Sequence, residues 1–415
     1  MKATDMGYRI EVRDKDLRRI GEIDTWIQLD MVIQYCDQGS WKLLVKSGTE
    51  QAELLQQGGG VAIYQDGVEK PILTGQIESF QKYWTVQQHS SEGSVFVGGK
   101  TDNKLAFSRL SFVDPAKTVS QQYSTVLDVR MVNGPVSKLI YDELNKSVGP
   151  GALADRQVTG INVGAVPSFG ATRSDSLRYD VVGEKLTEWC SDKKTGWQLL
   201  YNPNTRAIDL DIYEPRDLSK AVRFSPELGN LREYIWTLSA PKVTRAIVAC
   251  QGEGVDRYLY QKIDAAAESE WGIQIEQFID RRDLPIMTRQ SDGAPIKANA
   301  DVTDAEFQQA LQAVEQAATD ALKEGEKSGN FQIYPIDTEQ IKFGRDYFVG
   351  DLVSVEVDGS TYVDMVREVN ITVDDGGNAL TVAPKIGEQG SGDPLNLYKT
   401  VFDMREKLRK LEARM

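Results

Sequence analysis

Residues 58–80 read GGGVAIYQDGVEKPILTGQIESF. Val61 and Ile63 alternate with their neighbours into Asp66-Gly67, a strong short hairpin signal, and Ile72, Leu73 and Ile77 come back. The Gly58-Gly59-Gly60 run lacks the Lys-Ser/Thr and the following helix of a phosphate-binding loop, so it reads as a tight strand start. Residues 347–386, YFVGDLVSVEVDGSTYVDMVREVNITVDDGGNALTVAPKI, repeat the plan. A Gly-led start runs through alternating valines to Asp358-Gly359 and a returning strand. This weak internal repeat near both ends predicts two barrel-like modules with other material inserted.

Working outward, IDTWIQLDMVIQY alternates through Trp26, Ile27, Leu29, Met31 and Ile33, and GSWKLLV follows a Gly-Ser break. With KYWTVQQHSSEGSVFVGGK these strands predict an N-terminal β-barrel over 1–112. The period then changes. Val136, Leu139, Ile140 and Leu144 share a helical face that Pro135 opens and Gly149-Pro150-Gly151 stops. Val182, Leu186, Trp189 and Cys190 line a second helix, and Trp197–Tyr201 with Ala207–Tyr213 flank an Asn-Pro-Asn-Thr turn. An α+β unit is expected over 113–218.

The second barrel is expected in two parts, 219–262 and 331–386, around a helix-containing insertion at 263–330. In that insertion Thr303 and Glu306 form a capping box, and Phe307, Leu311, Val314, Ala318 and Leu322 make an apolar stripe expected to pack on its own domain. The fold class is α+β, predominantly β: two barrel-like antiparallel domains, inserted α+β material and a C-terminal coiled-coil helix over 387–415. That helix carries Leu397, Val401, Met404, Leu408, Leu411 and Met415 at spacings of 4, 3, 4, 3 and 4. Such a helix is marginal alone in water, so the seam is read as a coiled coil in preference to packing on its own body. With Leu397 at d, Lys407 falls at g and faces Glu412 at e of a parallel neighbour. Phe402 lies outside the seam as a further docking surface. The a and d residues leave two or three strands open.

Among 415 residues, 40% are hydrophobic and 27% charged, an ordinary globular balance. No apolar run approaches the roughly 18 residues that span a bilayer, and the N-terminus shows no signal-peptide core, so no membrane anchor is expected. The net charge of −14 disfavours a reader of nucleic acid. Cys36, Cys190 and Cys250 are far apart in sequence and read as small buried hydrophobes of a reducing cytosol. The single histidine, His89, reads as a polar loop residue. Candidate carboxylates are Asp209, Asp211 and Glu214, with Asp374 and Asp375. The first two read as the solvent face of a strand and the last two as a turn, so neither an enzyme nor a cofactor or metal site is expected. Trp41, Trp84, Trp197, Trp236 and Trp271 stand in strand-like contexts and read as core.

Several stretches together resemble the tail-hub proteins (minor tail proteins) of long-tailed siphophages, distantly related to the baseplate hub of contractile phages. They are GSWKLLV…AELLQQGGGVAIYQDG…ILTGQI, GPGALADRQVTGINVG, GWQLLYNPNTRAIDLDIYEPRDLSKAVRFSPELGNLREY, ACQGEGVDR and FGRDYFVGDLVSVEVDG. The resemblance implies a homotrimeric structural virion protein at the tail tip, assembled in the host cytoplasm. Its partners would be the distal tail protein or tail tube above and a tip fibre, spike or receptor-binding protein below. Two barrels in each of three chains would match the sixfold tube, with the terminal heptads zipping the copies below. DNA would pass along the axis without specific binding, past a wall expected to be acidic or polar. The chain departs from relatives that carry a long C-terminal region of enzyme or receptor-binding modules. The alternative reading is a carbohydrate-binding or wall-degrading tail-associated protein.

Overall fold

The computed structural model describes residues 7–84, 93–125, 128–326, 328–335, 340–357 and 359–387. His89, Asp358, the seam from Leu397 to Met415, its Lys407 and Glu412, and Phe402 lie outside the described residues.

The N-terminal region supplies β1 (Tyr8–Arg13), β2 (Arg19–Ile23), β3 (Gln28–Gln34), β4 (Ser40–Lys46), β5 (Gly60–Gln65), β6 (Leu73–Gln76), β7 (Ser79–Tyr83) and β8 (Ser94–Lys100). The hairpin expected at Asp66-Gly67 forms between β5 and β6, with Ile63 opposite Leu73. Gly67 has φ +83°, a backbone that side-chain-bearing residues rarely adopt. The returning chain then breaks into β6 and β7.

After α1 (Glu50–Leu54) and α2 (Lys104–Phe107) of the first region, the α+β unit contains β9 (Arg130–Pro135) and α3 (Val136–Ser147). It continues through β10 (Ile161–Asn162), β11 (Thr172–Leu177), α4 (Val182–Trp189), β12 (Gly196–Asn202) and β13 (Ala207–Tyr213). Both expected helices and the β12–β13 hairpin are present, and Val136, Leu139, Ile140, Leu144, Val182, Leu186 and Trp189 are buried.

Then follow β14 (Arg223–Phe224) and β15 (Leu231–Ser239). Next come β16 (Arg245–Ala249), β17 (Leu259–Ile263), α5 (Ala265–Trp271), β18 (Glu276–Asp280), β19 (Ile286–Thr288), β20 (Pro295–Lys297) and α6 (Asp304–Glu324). The chain returns in β21 (Ser328–Pro335), β22 (Leu352–Val357), β23 (Ser360–Val373) and β24 (Ala379–Gly387). The second hairpin pairs Val357 with Ser360, and Gly359 has φ +73°.

Two features depart from the sequence reading. No sheet among the described residues closes as a barrel. The two β regions instead share one ten-stranded sheet whose main path runs β7-β8-β4-β3-β23-β24-β21-β15. Leu29, Met31 and Ile33 of β3 stand opposite Val373, Ile371 and Val369 of β23, so one apolar face continues across the join. That face and the four-stranded sheet β2-β1-β5-β6 enclose a single core containing Ile10, Val61, Trp41, Leu43, Val355 and Ile371. The second difference is that β16 pairs with β17 and β18 in a separate three-stranded sheet rather than with the large sheet, so the insertion leaves it after Ser239 and not at 263.

Along the large sheet the connectivity repeats. In the first half β3–β4 and β7–β8 are hairpins, and β4 pairs β8. In the second, β15–β21 and β23–β24 are antiparallel pairs, and β21 pairs β24. The order 7-8-4-3 is followed by 23-24-21-15, the same arrangement in the same direction.

Candidate functional site

A directional repeat leaves two unlike edges. Among the described residues β7 pairs only with β8, and β15 only with β21. Since β7 corresponds to β23 and β15 to β3, the outer edges are the two partners already joined inside the chain. An open sheet edge is a template for further pairing unless charge, proline or a covering element blunts it. Here the β7 edge carries Phe80 at 54%, Tyr83 at 53% and Trp84 at 56% exposure. Trp84 therefore is not the core residue expected from its context; it ends an edge strand beyond the core. Trp41 and Trp197 are buried as expected, Trp271 is half-buried, and the Trp236 side chain lies outside what is described.

The sheet face turned away from the core is mostly polar, with Val32, Leu44, Phe96 and Ala383 also on it. Gln28, Asp30 and Gln34 of β3 share it with Lys42 and Lys46 of β4, Glu368, Asn370 and Thr372 of β23, and Lys385 of β24. Its carboxylates are engaged: Asp30 accepts from Thr372 Oγ1 at 2.9 Å, and Glu368 accepts from Gln34 Nε2 at 2.7 Å and from Lys385. Burial works to raise the Glu368 carboxyl, but the bonds from Lys385, Gln34 and Asn370 outweigh it and hold the group below the usual value.

The α+β unit is fastened to the first β region by buried polar groups. Arg13 Nη2 donates to Asp102 Oδ1 at 2.5 Å, and Asp102 Oδ2 accepts from Thr74 Oγ1 at 2.6 Å. The backbone N–H groups of Leu199 and Tyr201 on β12 donate to Asn103 Oδ1 and Thr74 Oγ1. Buried backbone donors need such partners, so these side chains complete a strand edge. Sequence reasoning missed them, because Thr101-Asp102-Asn103 after an apolar strand reads as loop.

The apolar stripe of α6 does not pack on its own domain alone. Ala310, Val314 and Ala318 bury against β16, while the helix also lies on β11 of the α+β unit. There β11 presents Arg173, Ser174, Asp175 and Ser176, all buried. Arg173 Nη2 reaches Asp320 Oδ2 of α6 at 2.5 Å and Glu188 Oε1 at 2.6 Å. Burial alone would raise Asp175, but Lys185, Arg281, Arg173 and the bond from Trp189 Nε1 hold its carboxyl below the ordinary range. A polar cavity of about 390 Å³ adjoins, lined by Asn133, Ser174, Gln312 and Thr319 among others.

The candidate carboxylates have structural roles. Asp209 accepts from Asn162 and Asn202, each at 2.9 Å, and Asp211 from Gln198 at 3.2 Å with Lys70 at 3.4 Å. Asp374 accepts the backbone N–H groups of Gly376 and Asn378, closing the β23–β24 turn. Glu214 is exposed at the rim of a cavity of about 560 Å³ shared with Asp211.

The fold is that of phage tail proteins. Over 92% of its length it is similar to the 43 kDa tail protein of prophage MuSo2 from Shewanella oneidensis, covering 98% of that chain at 11% identity with a TM-score of 0.53. It is similarly like the tail protein from Neisseria meningitidis MC58, covering 92% of this chain and 97% of that one at 12% identity with a TM-score of 0.52. Among curated proteins none matches the chain. Residues 9–388, nearly the whole described fold, match one family pattern, and the chain belongs to the Siphovirus ReqiPepy6 Gp37-like protein family.

Proposed function

We propose that this chain is a non-enzymatic structural subunit of a phage tail tip, a hub that joins the sixfold tail tube to a threefold tip and lets DNA pass during ejection. The observation that carries this reading is the directional repeat of the large sheet, whose two outer edges are complementary and pair with no further strand among the described residues. A head-to-tail contact between β15 of one copy and β7 of the next copies the β3–β23 join. Such a heterologous contact closes into a ring when the rotation allows it. Three copies then present six modules of similar design along one continuous sheet. The tail-protein fold of the structural neighbours supports the same reading.

In this ring the polar face of the sheet forms the channel wall. With Lys42, Lys46 and Lys385 set among Asp30 and Glu368, that wall is polar and mixed in charge rather than acidic. Duplex DNA passes without specific binding. Neighbours above are the tail tube or distal tail protein, and below a fibre, spike or receptor-binding protein. The seam Leu397, Val401, Met404, Leu408, Leu411 and Met415, with Lys407 facing Glu412, zips the copies below the ring.

Native mass measurement of the full chain tests this and is expected to give three chains. Phe80→Asp with Tyr83→Asp puts charge on the β7 edge and should dissociate the assembly while leaving the subunit's circular dichroism unchanged. Leu408→Asp with Leu411→Asp should weaken it separately. A wild-type monomer, or a trimer indifferent to the edge substitutions, overturns the ring.

A further inference from the structure

Far apart in sequence, Cys36 and Cys190 come together where the first β region meets the α+β unit. Both lie in one buried cluster, where Cys36 is close enough to Cys190 to help push its thiol up, and each residue is 1% exposed. Cys36 sits in the turn after β3 with φ +51°, a left-handed backbone uncommon for a residue bearing a side chain. Bonds to the facing unit hold it there. Thr187 Oγ1 donates to the Cys36 carbonyl at 2.6 Å, and Trp197 N–H donates to Cys36 Sγ at 3.3 Å. Next door, Tyr35 O–H donates to the Thr195 carbonyl at 2.7 Å. The third thiol, Cys250, is buried in a different cluster under α6.

We propose that Cys36 and Cys190 are a modification site: an intramolecular disulfide, made by exchange with a low-molecular-weight disulfide, that ties the turn after β3 to the end of α4. One thiol loses its proton, and its sulfur attacks the small disulfide, forming a mixed disulfide and releasing one small thiolate. The second cysteine, deprotonated in turn, attacks the protein sulfur of that mixed disulfide and expels the other small thiolate. The protein gives up two electrons and two protons, and the small disulfide becomes two thiols. Oxidation is gated by the joint itself. Burial pushes the Cys190 thiol well above its ordinary value, and the thiolate is the nucleophile, so the first step waits for the joint to open. Closing the bond then prevents that opening. The inference concerns the subunit alone and stands whether or not the chain forms a ring.

The test uses the full-length reduced protein with oxidised glutathione, warmed to just below its unfolding temperature, then digested without reductant. The expected product is a peptide pair joined through Cys36 and Cys190, lighter by two hydrogen atoms than the separate peptides. Cys250 should stay open to alkylation after unfolding. Because the cross-link closes a long loop, the melting temperature should rise by about 5 °C and fall back with a dithiol reductant. In Cys190→Ser, Cys36 should hold glutathione with no rise in melting temperature. Stable glutathione adducts on Cys36 or Cys190 of the wild type without the joined pair would overturn the proposal. So would two free thiols in protein whose amide exchange shows the joint open.

Discussion

The β3–β23 junction and the α6–β11 junction each bring together distant parts of the chain, but from opposite materials. At the first, six residue pairs of an antiparallel ladder are backed by Leu29, Met31, Val369, Ile371 and Val373 in the common core. Each such side chain contributes about 1.5–3 kcal/mol by leaving water. At the second, a polar strand meets a helix through Arg173, Asp320, Ser174 and Gln312. Separating the first exposes a core. Separating the second returns charged and polar groups to water, which solvates them well. The large sheet is therefore the more firmly joined of the two, and the α6–β11 joint is the one that opens at lower cost.

The greatest effect is expected from Ile371→Ala, which leaves a cavity under both halves of the sheet and costs about 2–5 kcal/mol. Urea unfolding should show β3 and β23 lost in one transition; two separate transitions would mean that the halves are independent domains. Arg173→Ala strips a buried cation from Asp320 and should cost about 1–3 kcal/mol, below a fully buried pair because Asp320 and Glu188 retain solvent contact. Amide exchange should speed up in α6 and β11 while β3 and β23 stay protected. Acid should act on the same joint. The carboxyls of Asp175 and Asp283 are held below their ordinary value of 3.8, so their stabilisation is complete above that pH and is lost as pH falls toward the depressed values. Exchange in α6 should thus rise below about pH 4 before that in β3. The smallest effect belongs to Thr303→Ala, which removes the capping box at the start of α6 and costs about 0.5–2 kcal/mol.

Legibility in the sequence followed the same division. Period-2 alternation around Met31 and Ile371 and the Asp-Gly turns reported strands, because one face of each is apolar. The α3, α4 and α6 stripes were equally plain. What the alternation could not report is which strand lies beside which, so β3 looked like part of a separate barrel. β11 was invisible: TRSDSL has no apolar face, since its neighbours are charged. The Arg13–Asp102–Thr74 fastening and the Cys36–Cys190 contact depend on distant segments converging and leave no local pattern. Trp84 had a signal of the wrong meaning, since an aromatic in a strand-like context reads as core wherever along the strand it falls, and it stands 56% exposed at the end of an edge strand.

Ser239 and Ser328 stand opposite each other at the end of the β15–β21 pair. The 240–327 segment thus leaves the frame and rejoins it at a single point, where a short turn would suffice. A unit mounted in this way behaves like a cassette in a socket. It can be lengthened or exchanged while strand register and outer edges stay as they were, so proteins built on one frame can diversify at this position without being redesigned.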